Sequence, residues 1–240
     1  MLSTKNWNVE SVWRMSCGVF ASMVVGVLLV SIFAHLLRGL PESEMQLMQF
    51  TVSMLTFQGG IFFWAHQCLR EHPMSWSEAF GFNQAGWFRA VILGLVLSVV
   101  MLIGALGLGY VMVELMNIFS ITAEAQPAVQ VVQNAESRYQ QLYYGIGAIL
   151  LAPVSEEILF RGVLYPSIKE LGYPRFALWS TSILFALIHF NLLSFVPLIF
   201  VSVMLIMAYE ETNNLLTPIF AHAFFNALNF ALLLAGEPIQ

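Results

Sequence analysis

The sequence predicts an all-α fold, a polytopic membrane protein with about seven to eight transmembrane helices. Of its 240 residues, 59% are hydrophobic and only 10% are charged, which is too apolar for a soluble domain of this size. Runs of about 20 mostly apolar residues, the length that crosses a bilayer, recur along the chain. The net charge of −5 is diffuse, and the sequence has no basic patch that could hold nucleic acid.

Seven apolar runs are candidate membrane spans, and an eighth, half-inserted helix is compatible with the pattern. The first run follows a polar start, but it is long enough to span and no small-residue cleavage site follows it, so we interpret it as a transmembrane helix. The fifth and sixth runs are short, and they form either two tight spans or one broken span. The runs cover residues 15–37, 46–65, 90–113, 140–162, 174–190, 193–209 and 215–235.

Two longer connections separate these runs. Residues 66–89 carry several charges and two tryptophans, Trp76 and Trp87. Tryptophan is enriched where a membrane meets water, so we expect this stretch to lie along the membrane surface. Residues 117–139 are rich in Ala, Gln and Glu and contain no Gly, which favours a surface helix over disorder.

The basic residues predict the orientation in the membrane. If the seven runs alternate in direction, six basic residues lie on the side of the N-terminus and two lie on the other side, with Arg161 left out because it belongs to a motif. Because cytoplasmic loops carry the excess of Lys and Arg, we expect a cytoplasmic N-terminus, in the cell (plasma or inner) membrane. The six are Lys5, Arg14, Arg70, Arg89, Lys169 and Arg175, and the two are Arg38 and Arg138.

Two adjacent acids, Glu156 and Glu157, lie inside the fourth apolar run. A charged side chain near the bilayer centre costs roughly 2.5 kcal/mol or more, so intramembrane acids usually face the protein interior and have partners. Arg161 lies one helical turn after Glu157, which predicts an ion pair between them and leaves Glu156 for chemistry. Pro153, one turn before the acids, is expected to kink the helix and open a cavity.

Three more polar residues interrupt apolar runs: His189, His222 and Asn226. His222 and Asn226 are four residues apart and therefore share one helical face. Glu156 lies 16 residues before Gly172, at the turn after the fourth run, and His189 lies 17 residues after it. In an antiparallel pair of helices these two side chains reach nearly the same depth. The polar residues are therefore expected to cluster around water or a substrate.

These residues resemble the three-motif signature of the CPBP intramembrane proteases, the family of type 2 CAAX prenyl proteases and bacteriocin-processing (Abi) enzymes. Each motif is weak alone, but the three occur together in the family's order on predicted spans, over about residues 140–235. The motifs are Glu156-Glu157-x-x-x-Arg161, Phe185-x-x-x-His189 and His222-x-x-x-Asn226.

The resemblance implies an integral-membrane endopeptidase, with an active site in a conical cavity open to the cytoplasm and the membrane. Its partners would be membrane lipid and a membrane-associated, prenylated or peptide substrate. Residues 1–139 would form N-terminal helices and loops, and residues 140–240 the catalytic core of a single membrane domain. By this resemblance Glu156 would activate water beside His189, His222 and Asn226 would hold the oxyanion, and Glu157 with Arg161 would brace the site.

The favoured mechanism uses no cofactor. Glu156, His189 and His222 could instead bind zinc, but the sequence has no H-E-x-x-H helix, and asparagine, the partner of His222, is a poor zinc ligand. Two other classes stay open. One is a non-catalytic membrane scaffold or immunity protein of the same fold, which would not require these three residues together. The other is a proton- or metal-coupled transporter, which predicts related halves that the sequence does not show.

Overall fold

The computed structural model describes residues 7–72, 74–82 and 86–236, and within these ranges the chain is helical and has no strand. The all-α prediction is therefore confirmed. In chain order the segments are α1 (Val9–Leu36), α2 (Glu42–Arg70), α3 (Trp76–Phe80), α4 (Trp87–Ile118), α5 (Pro127–Gln133), α6 (Arg138–Ile146), π1 (Gly147–Leu151), α7 (Ala152–Glu157), π2 (Ile158–Leu164), α8 (Tyr165–Glu170), α9 (Pro174–Leu187), α10 (Leu192–Thr212) and α11 (Leu216–Leu234).

Among the described residues, four helices are long and apolar enough to cross a membrane: α1, α4, α10 and α11. The predicted count of seven to eight spans is thus not confirmed. Helix α9 has 14 residues, or about 21 Å at 1.5 Å per residue, which is shorter than the hydrocarbon core of a bilayer. Residues 174–209 form two separate helices, and the predicted span 174–190 is shorter than expected.

Helices α1 and α2 form a closely packed antiparallel pair. Glycines permit this approach, because a Cβ atom on Gly18 would lie 2.2 Å from the Trp64 ring and one on Gly60 would lie 2.8 Å from Ser22. Small residues at such contacts are the usual way in which membrane helices pack. On the far side, α4 packs against α10 and α11. The proposed division into 1–139 and 140–240 stays a prediction.

Residues 138–170 form one uninterrupted helical segment, the central rod, which contains α6, π1, α7, π2 and α8. Its length is about 50 Å. Pro153 does not break it, since Leu151 and Ala152 keep helical dihedral angles. The chain widens into the π-helical turn π1 just before the proline, a change of hydrogen-bond register of the kind at which helices bend. The kink itself stays a prediction.

The position of the connection 66–89 along the membrane surface stays a prediction, and one part of this connection packs into the protein. Helix α3 begins with a capping box between Ser75 and Glu78, and it buries Phe80 completely. The carbonyl of Phe80 accepts a hydrogen bond from the backbone N–H of Leu215 at 3.0 Å. Trp87 is 68% exposed, whereas Trp76 is partly buried against the core. In the connection 117–139, the predicted surface helix is limited to the seven residues of α5.

The ends of the long helices lie at two opposite ends of the molecule. We call the end at which α1 begins the Trp7 end, and the end at which the central rod begins the Arg138 end. At the Trp7 end, Lys169 pairs with Glu210 at 2.6 Å and Arg14 pairs with Glu71. At the Arg138 end, the Ser43 hydroxyl donates to Glu136 at 2.9 Å. There the Asn191 amide also donates to the carbonyl of Glu124 at 2.8 Å, which holds the 119–137 connection against the start of α10.

Candidate active site

The last turn of α7 holds the two glutamates, and the structure gives them different surroundings. Both are buried, with 7% of Glu156 and 0% of Glu157 exposed. Adjacent residues on a helix point about 100° apart. Glu156 lines a cavity, whereas Glu157 faces the protein interior.

Glu157 is the centre of a buried hydrogen-bond network. Its Oε1 accepts from Arg161 Nη1 at 2.9 Å, which is the ion pair that the sequence predicted. The same oxygen accepts from His222 Nδ1 at 2.8 Å. Arg161 Nη2 also donates to the carbonyl and the hydroxyl of Ser202, at 3.1 and 2.9 Å. The guanidinium lies over the Phe185 ring, 4.7 Å from its centroid.

His222 connects the two glutamates. Because its Nδ1 lies against the Glu157 carboxylate, that nitrogen carries a proton. Its Nε2 lies 3.9 Å from Glu156 Oε2, too far for a hydrogen bond but near enough for both atoms to contact one small group between them. In the neutral imidazole Nε2 can only accept, and it becomes a donor when the ring gains a second proton.

His189 is fixed at the end of α9 by its own backbone. Its Nδ1 donates to the carbonyl of Phe185 at 2.7 Å, four residues earlier. The other ring nitrogen, Nε2, is then an acceptor in the neutral ring. His189 lines the same cavity as Glu156, so a water molecule beside Glu156 has a second acceptor available from the turn that follows α9.

Asn226 is held by the π-helical turn. Its Nδ2 donates to the carbonyl of Ala148 at 2.8 Å. In π1 the N–H of Ala152 bonds to the carbonyl of Gly147, five residues earlier. The residue five positions after Ala148 is Pro153, which has no N–H. The proline therefore leaves a backbone acceptor open, and the asparagine side chain occupies it.

One cavity of about 290 Å³ brings the predicted residues together. Glu156, His189, His222 and Asn226 all line it, whereas Glu157 and Arg161 are not among its lining residues. The equal depth expected for Glu156 and His189 agrees with this arrangement. Most of the remaining wall is apolar and includes Phe50, Met54, Leu106, Val129, Phe230 and Leu233.

In the described part of the chain, no group of three or more His, Cys, Asp or Glu side chains is placed to hold a metal ion. His222 directs Nδ1 at Glu157, and His189 directs Nδ1 at a carbonyl. A catalytic zinc site needs three protein ligands around one point. The Nδ1 contacts leave Nε2 of each ring as the nitrogen that a metal would use, so the metal-free mechanism stays a prediction.

Three parts of the site were missed by the sequence analysis. Ser202 looked like an ordinary serine in an apolar helix, yet it binds Arg161 through two oxygens. Ala148 contributes only a backbone carbonyl, which no side-chain pattern reveals. Residues 126–132, which include most of α5, cover the cavity with Gln126, Ala128, Val129 and Val132, although they lie far from every motif in sequence.

The fold and the site define a helical membrane protein with a buried glutamate–histidine cluster. Residues 138–228 match the family model described as type II CAAX prenyl endopeptidase Rce1-like. The resemblance that the motifs indicated is therefore confirmed over these residues, which include every predicted site residue.

A similar protein of Bacillus subtilis (strain 168), the uncharacterized protein YpbD, is 39% identical over 95 residues. That match spans 38% of this chain and 46% of the relative, which is about half of the relative's length. No solved structure matches the chain.

Proposed function

We propose that this protein is an intramembrane endopeptidase that hydrolyses a peptide bond of a membrane-associated substrate with a water molecule activated by Glu156. One observation carries the proposal: Glu156, His189, His222 and Asn226, from three separate segments of the chain, line a single cavity. The match of residues 138–228 to the type II CAAX prenyl endopeptidase family supports it.

Glu156 acts as the general base. Its carboxylate takes a proton from a water molecule in the cavity while the water oxygen attacks the carbonyl carbon of the substrate. His189 accepts the second hydrogen of that water at Nε2 and so orients it. The protonated Glu156 then gives its proton to the leaving nitrogen, and the C–N bond breaks. General acid–base catalysis of this kind contributes about 10²–10⁴-fold to the rate.

His222 and Asn226 stabilise the oxyanion of the tetrahedral intermediate. The Nδ2 group of Asn226 has two hydrogens. One is donated to the carbonyl of Ala148, so the other can be donated to the substrate. His222 donates from Nε2 only as an imidazolium, because Nδ1 is bound to Glu157. In that form His222 and Arg161 together balance the charges of the two buried glutamates. Fixed donors of this type are worth about 2.7–4 kcal/mol each.

The test is a liposome assay with a displayed peptide library, comparing wild-type protein with Glu156→Gln. Glutamine keeps the volume of the side chain but cannot accept a proton, so cleavage is expected to fall about 10²–10⁴-fold while the melting temperature stays unchanged. Glu114→Gln, at an exposed position on α4, is the matched control and keeps full activity. Full activity in Glu156→Gln would refute the proposal.

A chelator added to the same assay tests the zinc alternative. Under the glutamate mechanism, cleavage continues at an unchanged rate. If cleavage stops and returns when zinc is added, a metal supplies the activated water. The general-base role of Glu156 would then be withdrawn, while the assignment as a protease would stand.

A further inference from the structure

The cavity occupies only one half of the molecule. On the central rod its lining residues run from Gly147 to Glu156, towards the Arg138 end. On α10 they lie between Ser194 and Val201, in the half that begins at the Arg138 end. On α11 they continue from His222 to Leu233, again towards that end. Glu156 and His222 therefore lie at the inner limit of a space that extends in one direction.

The other half of the molecule is filled by side chains. Phe80, Phe160, Tyr209 and Leu215 are each at most 1% exposed, and all belong to one apolar cluster between the glutamates and the Trp7 end. The indole of Trp7 is 5% exposed and packs against the same cluster. These residues separate the site from the Trp7 end.

The charges identify the two ends. Among the described residues, five basic side chains lie at or near the Trp7 end: Arg14, Arg70, Arg89, Lys169 and Arg175. Arg38 and Arg138 lie at the other end. An excess of Lys and Arg marks the cytoplasmic side of a membrane protein. The Trp7 end is therefore the cytoplasmic one, and the cavity extends away from it.

We infer that the cavity opens to the extracytoplasmic side of the membrane, and that the substrate is an apolar peptide segment which reaches Glu156 from that side. The second part rests on the proposed function. This reverses the expectation, taken from the family resemblance, of a cavity open to the cytoplasm. It also places α5, at the Arg138 end, between the catalytic residues and the extracytoplasmic water.

The side chains that line the cavity also indicate which kind of substrate fits it. Phe50, Leu106, Phe230 and Leu233 give it apolar walls on three helices. Among the described residues that line the cavity there is no Lys or Arg. The imidazolium of His222 in the proposed mechanism already faces Glu156, so no further cation is left for a free C-terminal carboxylate. A buried carboxylate without a partner is costly. The site suits an internal, uncharged segment of a membrane protein better than the end of a chain.

Cysteine labelling tests the direction of access without needing a substrate. The native thiols, Cys17 and Cys68, are first replaced by serine and alanine. A cysteine is then introduced at Gln126, which lines the cavity, or at the matched control position Glu211. Glu211 is exposed in the last turn of α10, at the Trp7 end. Intact cells are treated with a membrane-impermeant maleimide. We expect Gln126→Cys to be labelled in intact cells and Glu211→Cys only after permeabilisation.

The reverse labelling pattern would overturn the inference, and so would labelling of both positions in intact cells. A cysteine at Asn229, deeper in the cavity, extends the test: a small impermeant thiosulfonate should modify it from outside. Modification only after permeabilisation would show that the cavity opens to the cytoplasm.

Mapping of protein N-termini in cells that carry wild type or Glu156→Gln tests the substrate. Termini that disappear in the variant should lie in apolar segments near the extracytoplasmic face, and termini in cytoplasmic tails would overturn the inference. If no terminus depends on Glu156, the proposed function fails while the labelling result stands. The two proposals can therefore fail separately.

Discussion

At the scale of single residues, the site depends on how one glutamate is neutralised. Glu157 is fully buried and accepts hydrogen bonds from Arg161 and His222 through the same oxygen. Arg161 is fully buried as well and is fixed by Ser202. Neither charge could stay in this position alone, because removing one partner of a buried ion pair leaves an uncompensated charge. The pair thus holds His222 in the orientation in which Nε2 faces Glu156.

Arg161→Ala is expected to destabilise the protein by about 3–5 kcal/mol, the usual cost of breaking a buried ion pair from one side. Ser202→Ala removes one hydrogen bond to the guanidinium, but the carbonyl of the same residue remains, so its cost is about 1–3 kcal/mol. Thermal unfolding in detergent measures both. Equal melting temperatures for Arg161→Ala and wild type would show that Glu157 does not need its counter-charge.

The ion pair was predictable because it depends on local geometry alone. A spacing of four residues on a helix places Glu157 beside Arg161 whatever surrounds them. The meeting of Glu156 with His189 was also predictable, from counting residues on either side of Gly172. Ser202 was not, since a serine in an apolar helix often bonds its own backbone, and only the position of α10 brings it to Arg161.

At the scale of secondary structure, the two glutamates lie on α7, between the two π-helical turns of the rod. The sequence rule for an internal proline predicts a kink but not the π-helical turn π1 that lies just before Pro153. The rule could not foresee this, because the acceptor freed at Ala148 is occupied by Asn226, 78 residues later. The sequence also did not predict where α9 ends. Phe190 has a φ of 49°, but its apolar side chain is not typical of a helix end.

Pro153→Ala is expected to lower activity without lowering stability. Alanine provides a backbone N–H that competes with Asn226 for the carbonyl of Ala148, and it favours a regular helix. The oxyanion donor would then lose its fixed position. Pro166→Ala is the matched control, because Pro166 lies in the same rod, outside the cavity lining. Turnover and melting temperature are measured for both variants, and wild-type turnover in Pro153→Ala would contradict this role of the proline.

At the scale of the whole molecule, the 119–137 connection joins parts that lie far apart in sequence. Glu136 accepts from Ser43 at the start of α2, and Glu124 accepts from Asn191 at the start of α10. Between these two attachments, α5 covers the cavity. The composition of residues 117–139 predicted a surface helix but not this position, because the position depends on partners 67 and 93 residues away.

Asn191→Asp tests whether the attachment to α10 keeps the cavity covered. Aspartate retains the oxygen that caps α10 by accepting from Ser194, but it cannot donate to the carbonyl of Glu124. Hydrogen exchange is expected to rise in residues 119–133 and to stay unchanged in α10. Asn191→Ala, which loses the cap as well, should raise exchange in both segments. Unchanged exchange at 119–133 in Asn191→Asp would show that this hydrogen bond does not hold α5 over the cavity.

The contact of Trp7 with the central rod also has a consequence for how the chain is assembled. The indole N–H donates to the carbonyl of Gly162 at 3.1 Å, across 155 residues of sequence. Because synthesis runs from the N-terminus, Trp7 is made before Gly162, and α1 to α7 with π1 are made between them. The indole N–H of Trp7 cannot form this hydrogen bond until the rod has been synthesised and inserted. Closure of the Trp7 end is therefore a late event in biogenesis, and a fusion partner attached just before Trp7 would obstruct that step.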